Sequence, residues 1–247
     1  MARIMPRCWA MSSDRIDFIS SYCDRWCERC AYTARCSTYA SAGAAAMCGD
    51  LVEGFEVAVG APRPVDGEPA GRKGGPLAEE LWNVRMSRDE RDESDRREVE
   101  RRARLADEPI AIVAMAYTML ADRWLSEHHD ALRAAADPVL AEALDLVSHD
   151  SVFVSAKLHR AFDGRDRHRH DEDRDDDAVQ NDWNGSAKVA LISLQRSEIA
   201  WRAIVEATKD EAAAILADAA LDLRRLAQDE FPGAMSFIRP GFDEPWR

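Results

Sequence analysis

Four cysteines stand close together near the N-terminus, in the spacing C-x3-C-x2-C-x5-C. They are Cys23, Cys27, Cys30 and Cys36. Four thiolates are a suitable ligand set for zinc or for an iron–sulfur cluster. The first twenty residues hold no apolar run typical of a secretory signal, and clustered cysteines in a protein of a reducing compartment indicate metal or redox chemistry before disulfides. The spacing therefore predicts one metal site bound by these four residues.

The side chains around the cysteines favour an iron–sulfur cluster over zinc. Zinc knuckles usually have a glycine near the second cysteine of a tight C-x2-C turn, and Cys27-Glu28-Arg29-Cys30 has none. A [4Fe–4S] core bound by four thiolates is negatively charged, so arginine donors offset its charge and aromatic rings exclude water. We expect a [4Fe–4S] cluster; zinc, or cysteines without any metal, are the alternatives. The side chains expected to surround the cluster are Arg25, Trp26, Arg29 and Arg35.

Parts of the cysteine segment resemble known motifs. The stretch YCDRWCERC, residues 22–30, resembles the N-terminal signature of a group of uncharacterised bacterial helical proteins. The spacing Cys27-x2-Cys30-x5-Cys36 is similar to the end of the cluster loop in endonuclease-III-type DNA glycosylases, which implies a [4Fe–4S] cluster. The helix-hairpin-helix glycine motif and the catalytic Lys/Asp context of those enzymes are missing from the chain. The spacing of the first three cysteines matches radical-SAM enzymes, but those leave one iron open, and Cys36 would close it.

The cysteines need a backbone that brings their sulfur atoms together. N-cap residue types precede Asp14, and apolar residues then recur at three- and four-residue spacing. This pattern predicts a helix from Asp14 to about Cys30. On such a helix the first three cysteines face one side. A turn over residues 31–35 would then bring Cys36 back as the fourth ligand.

Composition divides the first part of the chain into three segments. They are a flexible N-terminus, a cysteine-rich metal-binding segment and a Pro/Gly linker, at residues 1–12, 13–59 and 60–76. Inside the second segment, an alanine-rich run predicts a helix from Thr38 to Val59. A short helix is expected over residues 77–86. The almost wholly charged run at 88–104 then favours a solvated helix with i,i+4 ion pairs, or disorder. An arginine-rich docking face for an acidic partner is the alternative interpretation.

Residues 77–247 predict an all-α bundle of about four long helices. Pro109 is typical of a helix start, and Asp137-Pro138 is an N-cap followed by a first-turn residue. Asn184 begins a third long helix, which is expected to end near Thr208. Asp210 caps a fourth helix. No run of alternating apolar and polar residues indicates a strand.

Two irregular segments interrupt or follow the bundle. The charged low-complexity run at 165–180 predicts a mobile acidic loop after a helix that ends near Gly164. The tail after Glu230 is too rich in proline and glycine for a helix. Its aromatic side chains predict a strap packed on the bundle; they are Phe231, Phe237, Phe242 and Trp246.

Charged side chains fall on the apolar stripes of two predicted helices. Asp150 and Lys157 lie on or beside one stripe, and Lys188 lies on another. A lone buried charge is costly, so these groups must pair. One interpretation is a structural network in which Asp150 pairs with Lys188 or Lys157. The other is a polar pocket for an anionic ligand, formed by His149, Asp150, Lys157, Arg160, Lys188 and Arg196.

Charge and hydropathy limit the partners. The net charge of -13 disfavours binding to nucleic acid and to anionic membranes, because both are themselves negative. The most apolar run, Ile110 to Leu120, is too short to span a bilayer. We therefore expect a cytoplasmic cluster protein with a redox or other protein partner, working in electron transfer, redox sensing or an accessory role. The alternatives are a zinc-stapled enzyme or ligand-binding protein that uses the polar pocket, and a partner-binding scaffold.

Overall fold

The protein is an all-α helical bundle, as predicted. The computed structural model describes residues 15–48, 88–170 and 177–243, and no strand occurs within those ranges. The α-helices are α1 (Ser37–Cys48), α2 (Arg88–Ala106), α3 (Pro109–Arg133), α4 (Pro138–His170), α5 (Asp182–Thr208) and α6 (Glu211–Glu230).

The chain forms two compact units. The first comprises residues 1–20 and 25–96, and the second comprises residues 21–24 and 97–247. In the second unit, α4 packs on α3 and α5, and α6 packs on α5 and α3, so the four helices enclose one core. The short connections between α3 and α4 and between α5 and α6 are typical of antiparallel neighbours. The predicted bundle of four long helices is therefore confirmed.

Aromatic side chains fill the centre of this bundle. Trp201 and Tyr117 are buried, and the indole nitrogen of Trp201 donates a hydrogen bond to the Tyr117 hydroxyl at 3.0 Å. The ring of Trp124 meets that of Trp201 edge to face, with centroids 5.0 Å apart. Burying each such ring contributes on the order of 2–3 kcal/mol. These contacts fix α3 against α5.

Side-chain caps set the helix boundaries. The Asp210 carboxylate accepts a hydrogen bond from the Ala213 amide at 2.7 Å, which starts α6 at its predicted position. The α5 helix starts at Asp182, two residues before its predicted start. The cause is Asn181, whose side chain accepts from the Asn184 amide at 2.9 Å.

The predicted loop at 165–180 is wrong for its first part, because α4 continues to His170. Ion pairs hold this extension. Arg104 of α2 makes two hydrogen bonds to Asp166, at 2.9 and 3.0 Å, and Arg165 pairs with Glu230 at 2.5 Å. Basic residues also occupy the last turn, where they interact favourably with the helix dipole. Sequence reasoning took these charges as solvated, whereas the neighbouring helices supply their partners.

The tail packs as the predicted strap up to Phe237. Phe231 and Phe237 are buried, and the Phe231 ring lies 5.1 Å from that of Phe162. The Gln180 side chain donates to the Ile238 carbonyl at 2.6 Å and accepts from the Ile238 amide at 3.0 Å.

Several sequence predictions fall outside the described residues. They concern the flexible N-terminus, the end of the helix predicted to reach Val59, the Pro/Gly linker, the helix at 77–86, part of the acidic loop, and Trp246. The charged run at 88–104 is helical, within α2, so the expected helix forms and disorder is not seen there.

Candidate functional site

The predicted helix from Asp14 to Cys30 does not form. Short 3-10 turns take its place, at Ile19–Ser21 and Cys27–Arg29, and another follows at Thr33–Arg35. Phe18 and Arg25 have φ angles of 60° and 61°, in the left-handed region that an α-helix cannot contain. The idea that three thiols share one face of a helix is therefore wrong.

Long-range contacts explain the loss of this helix. The Ser21 carbonyl accepts a hydrogen bond from Lys157 Nζ at 2.7 Å, and the Asp24 carbonyl accepts from His149 Nε2 at 2.8 Å. In an α-helix, both carbonyls would accept from amides four residues further along. Side chains of α4 take these acceptors instead. The apolar spacing was real, but tertiary contacts override it.

Three cysteines of the first unit lie at the ends of 3-10 turns: Cys27 begins one turn and Cys30 follows it, while Cys36 follows the next turn. The Cys30 amide donates to the Cys27 carbonyl at 3.2 Å, which closes the Cys27–Arg29 turn. The Cys36 amide donates to the Thr33 carbonyl at 3.3 Å, which closes the next. The tight C-x2-C turn therefore forms without glycine. The expected turn before Cys36 is confirmed.

Backbone amides also donate to sulfur. The Tyr32 amide lies 3.4 Å from Cys30 Sγ, and the Tyr39 amide lies 3.5 Å from Cys36 Sγ. When a cysteine sulfur binds a metal, amide hydrogen bonds of this kind tune the metal centre. Cys36 is buried, and the other three cysteines of the motif are half-buried.

The four sulfur atoms are thiols and do not form disulfides. Within residues 15–48, 88–170 and 177–243, no group of three or more His, Cys, Asp or Glu side chains lies close enough together to hold a metal ion. The donor chemistry therefore fits a metal, whereas a preformed ligand cage is not seen in these ranges. The four-cysteine ligand set stays a prediction.

The predicted flanking residues differ in their contacts. The Arg29 guanidinium lies over the Trp26 ring, 3.8 Å from its centroid, in a cation–π contact. The Arg35 carbonyl accepts a hydrogen bond from the Ile16 amide at 3.1 Å, and the Arg25 carbonyl accepts from the Cys27 amide at 2.9 Å. Arg25 and Arg35 thus help to shape the backbone beside the cysteines.

In the second unit, the residues predicted to form a polar pocket form closed pairs. Arg196 donates to the fully buried carboxylate of Asp150 at 3.0 and 2.6 Å, and to Asp24 at 2.7 Å. The predicted pairing of Asp150 with Lys188 or Lys157 is therefore wrong. Burial raises the pKa of the Asp150 carboxyl, although the hydrogen bonds and charge of Arg196 act to lower it.

Arg160 belongs to a second closed group. It donates to both oxygens of Asp182, at 2.6 and 3.2 Å, and the Tyr22 hydroxyl donates to the same carboxylate at 3.2 Å. Burial, and then the charge of Asp182, raise the pKa of Tyr22 to about 12. The Tyr22 ring packs against Phe237 at 4.7 Å. It lies so close to Gly185 that a methyl group there would clash with it.

The remaining lysine holds the tail. Lys188 Nζ donates to the Phe237 carbonyl at 2.6 Å and pairs with Asp243 at 2.8 Å. The six predicted pocket residues thus have two structural tasks. His149, Lys157, Arg160 and Arg196 hold residues 21–24, while Lys188 holds the tail and Asp150 orients Arg196.

Sequence reasoning missed the carboxylates that complete these groups, Asp24, Asp182 and Asp243. Asp24 had a signal, since it follows Cys23 directly. Asp182 is the first residue of α5, next to its N-cap, and no local pattern identifies it as the partner of Arg160. The backbone carbonyls of Ser21 and Phe237, which accept from Lys157 and Lys188, could not be identified from the sequence, because every residue has a carbonyl group.

Comparison of the chain with protein-family models, with curated proteins and with solved structures found no match. In the part of the chain that the structure describes, no helix has the length and apolar content needed to cross a membrane. Function is therefore inferred from the residues themselves.

Proposed function

We propose that the protein binds a [4Fe–4S] cluster through Cys23, Cys27, Cys30 and Cys36. One observation carries most weight: backbone amides donate to Cys30 Sγ and Cys36 Sγ, each at the end of a tight turn. Thiolates that bind iron commonly receive such bonds. Cys23 and Cys27 are assigned as ligands by their spacing in the sequence.

The surroundings of Cys23 also support a functional role for the segment. Its neighbours Tyr22 and Asp24 are both held by side chains of the bundle, Asp24 by Arg196 at 2.7 Å. An ordered backbone beside a ligand lowers the entropic cost of binding. Binding still has to draw the thiols together, so we expect the segment to become more ordered with the metal.

Four protein thiolates leave no open iron position on a cluster. Such a centre suits outer-sphere electron transfer or redox sensing better than activation of a substrate. We therefore propose a cytoplasmic redox or accessory role with a protein partner. An enzyme that uses the polar residues of the bundle is less well supported, since their charges are paired with one another.

Zinc is the second candidate, and the turn at Cys27–Arg29 favours it. The missing glycine had weighed against a zinc knuckle, yet this turn is tight without it. A structural zinc bound by four cysteines would staple the N-terminal segment and carry no electrons.

Purification without oxygen, followed by absorbance spectroscopy, tests the proposal. The cluster predicts a brown protein with a broad absorbance band near 400 nm. Each single Cys→Ser change in the motif should remove both the colour and the band. Cys48→Ser, outside the motif, is the matched control and should keep the colour. A colourless protein with one zinc per chain would replace the cluster with the second candidate. A colourless protein without metal would refute both.

A further inference from the structure

The outer side of α3 exposes a run of large apolar side chains. Five of them are between 42% and 65% exposed: Ile112, Val113, Met115, Met119 and Leu120. Together with exposed Ala116 they form one continuous surface, called here the α3 face. Single exposed apolar residues are ordinary, whereas a contiguous apolar patch marks an interaction site.

The spacing within α3 shows that this surface is not part of the bundle core. Tyr117, Ala121 and Trp124 lie on the inner side and are buried. On the outer side, Ile112, Ala116 and Met119 follow at intervals of four and three residues, so they line one stripe. The small side chain of Ala116 at the centre lets a second helix approach closely.

Opposite charges stand at the two ends of this stripe. Glu108 lies four residues before Ile112, and Arg123 lies four residues after Met119. Glu108 is 3.9 Å from Arg165, which has a much closer partner in Glu230. Arg123 pairs within its own helix, with an exposed glutamate four residues on. The Glu108 contact is at the distance limit of an ion pair, and the Arg123 pair is exposed and contributes little, so both charges can pair elsewhere.

From this pattern we infer that the α3 face binds a second copy of the chain. In an antiparallel pair of α3 helices, a two-fold axis between Met115 and Ala116 places Ile112 opposite Met119 of the other copy. The same axis places Glu108 opposite Arg123 of the other copy, twice. Apolar residues then meet apolar residues, and acid meets base. A two-fold interface requires this self-complementarity, whereas a parallel pair would set Glu108 against Glu108.

The size of the surface sets the expected strength. A single helix face falls below the roughly 800 Å² per partner of a standard interface. We therefore expect a concentration-dependent dimer, with a Kd of about 1–100 μM. The inference is argued from residues of α3 alone, so it does not rest on the proposed metal.

Sedimentation velocity of the full chain from about 1 to 300 μM tests the inference. The wild-type protein should shift from monomer to dimer in this range. Met119→Glu sets a charge against Ile112 of the other copy and should weaken the dimer at least tenfold. Ile215→Glu is the matched control, since Ile215 is an equally exposed apolar residue on α6, and it should dimerise normally.

A charge exchange identifies the orientation. Glu108→Arg and Arg123→Glu should each weaken the dimer, and the double variant should restore it. Circular dichroism confirms that each variant is folded. A monomer at every concentration, as when another segment of the chain or a different protein covers the face, overturns the inference. So does a dimer that Met119→Glu leaves intact, or one that the double charge exchange fails to restore.

Discussion

Arg196 donates two hydrogen bonds to the buried carboxylate of Asp150, at 3.0 and 2.6 Å. Its remaining Nη1 atom reaches Asp24 at 2.7 Å, next to the first cysteine of the motif. One guanidinium thus joins a carboxylate inside the bundle to a carboxylate on the N-terminal stretch.

Removing the guanidinium should destabilise the bundle. Arg196→Met leaves Asp150 buried without its partner, and we expect a loss of about 2–4 kcal/mol in the free energy of unfolding. Urea denaturation measures it. Arg225→Met removes an arginine from an ion pair that is exposed on both sides, so it should cost less than about 1 kcal/mol. Equal losses in the two variants would contradict the buried-pair assignment.

Releasing Asp24 should weaken metal retention. Asp24→Ala removes the contact with Arg196 and frees the backbone beside Cys23, so we expect the metal to be lost to a chelator roughly tenfold faster. Asp17→Ala, at an exposed carboxylate of the same stretch, is the control and should behave as wild type. If Asp24→Ala holds its metal equally well, residues 21–24 do not support the site.

Gly185 allows the Tyr22 ring to approach α5. Gly185→Ala would place a methyl group against that ring and 2.8 Å from Phe237 Cζ, and we expect a loss of about 1–3 kcal/mol. Gly164 is the matched control, because a methyl group there meets its neighbours at 3.4–3.7 Å. Gly164→Ala should therefore stabilise its helix by about 0.5–1 kcal/mol. Thermal unfolding compares the two variants, and a stabilising Gly185→Ala would contradict the packing described for Tyr22.

The tail should loosen in acid. Although burial acts to raise it, the pKa of Asp243 lies well below its usual value because Arg239 and Lys188 donate hydrogen bonds to its carboxylate. A lowered pKa gives stability above the unfolded value of about 3.9, and that stability is lost as pH falls below it. Asp243→Asn should therefore cost about 1–3 kcal/mol at pH 7 and less at pH 3. Asp222→Asn, on an exposed carboxylate, should show little cost at either pH; a cost of Asp243→Asn that does not change with pH would contradict the assignment.

Local signals predicted the bundle well. Pro109, Asp137 and Asp210 mark helix starts within a residue of the observed ones, because caps act over one turn of backbone. The prediction failed at Gly164, where glycine and dense charge suggested a loop. Arginine and carboxylate partners on α2 and α6 keep that stretch helical, and no local signal reports partners so distant in sequence.

In the cysteine segment, long-range contacts outweigh the local sequence pattern. Its apolar spacing predicted a helix, but Lys157 and His149 take the carbonyls that a helix would use. Composition correctly indicated that inward-facing charges must pair. Composition could not identify Arg196 as the partner of Asp150, because this pairing depends on which sides of α4 and α5 face each other.

Metal and sulfide analysis of protein purified without oxygen tests the central claim most directly. The proposed cluster predicts about four iron and four acid-labile sulfide per chain. Iron and sulfide should both fall to background when Cys30 and Cys36, the cysteines that accept amide hydrogen bonds, are changed to serine. Protein that is fully folded and holds neither iron nor sulfide would contradict the claim.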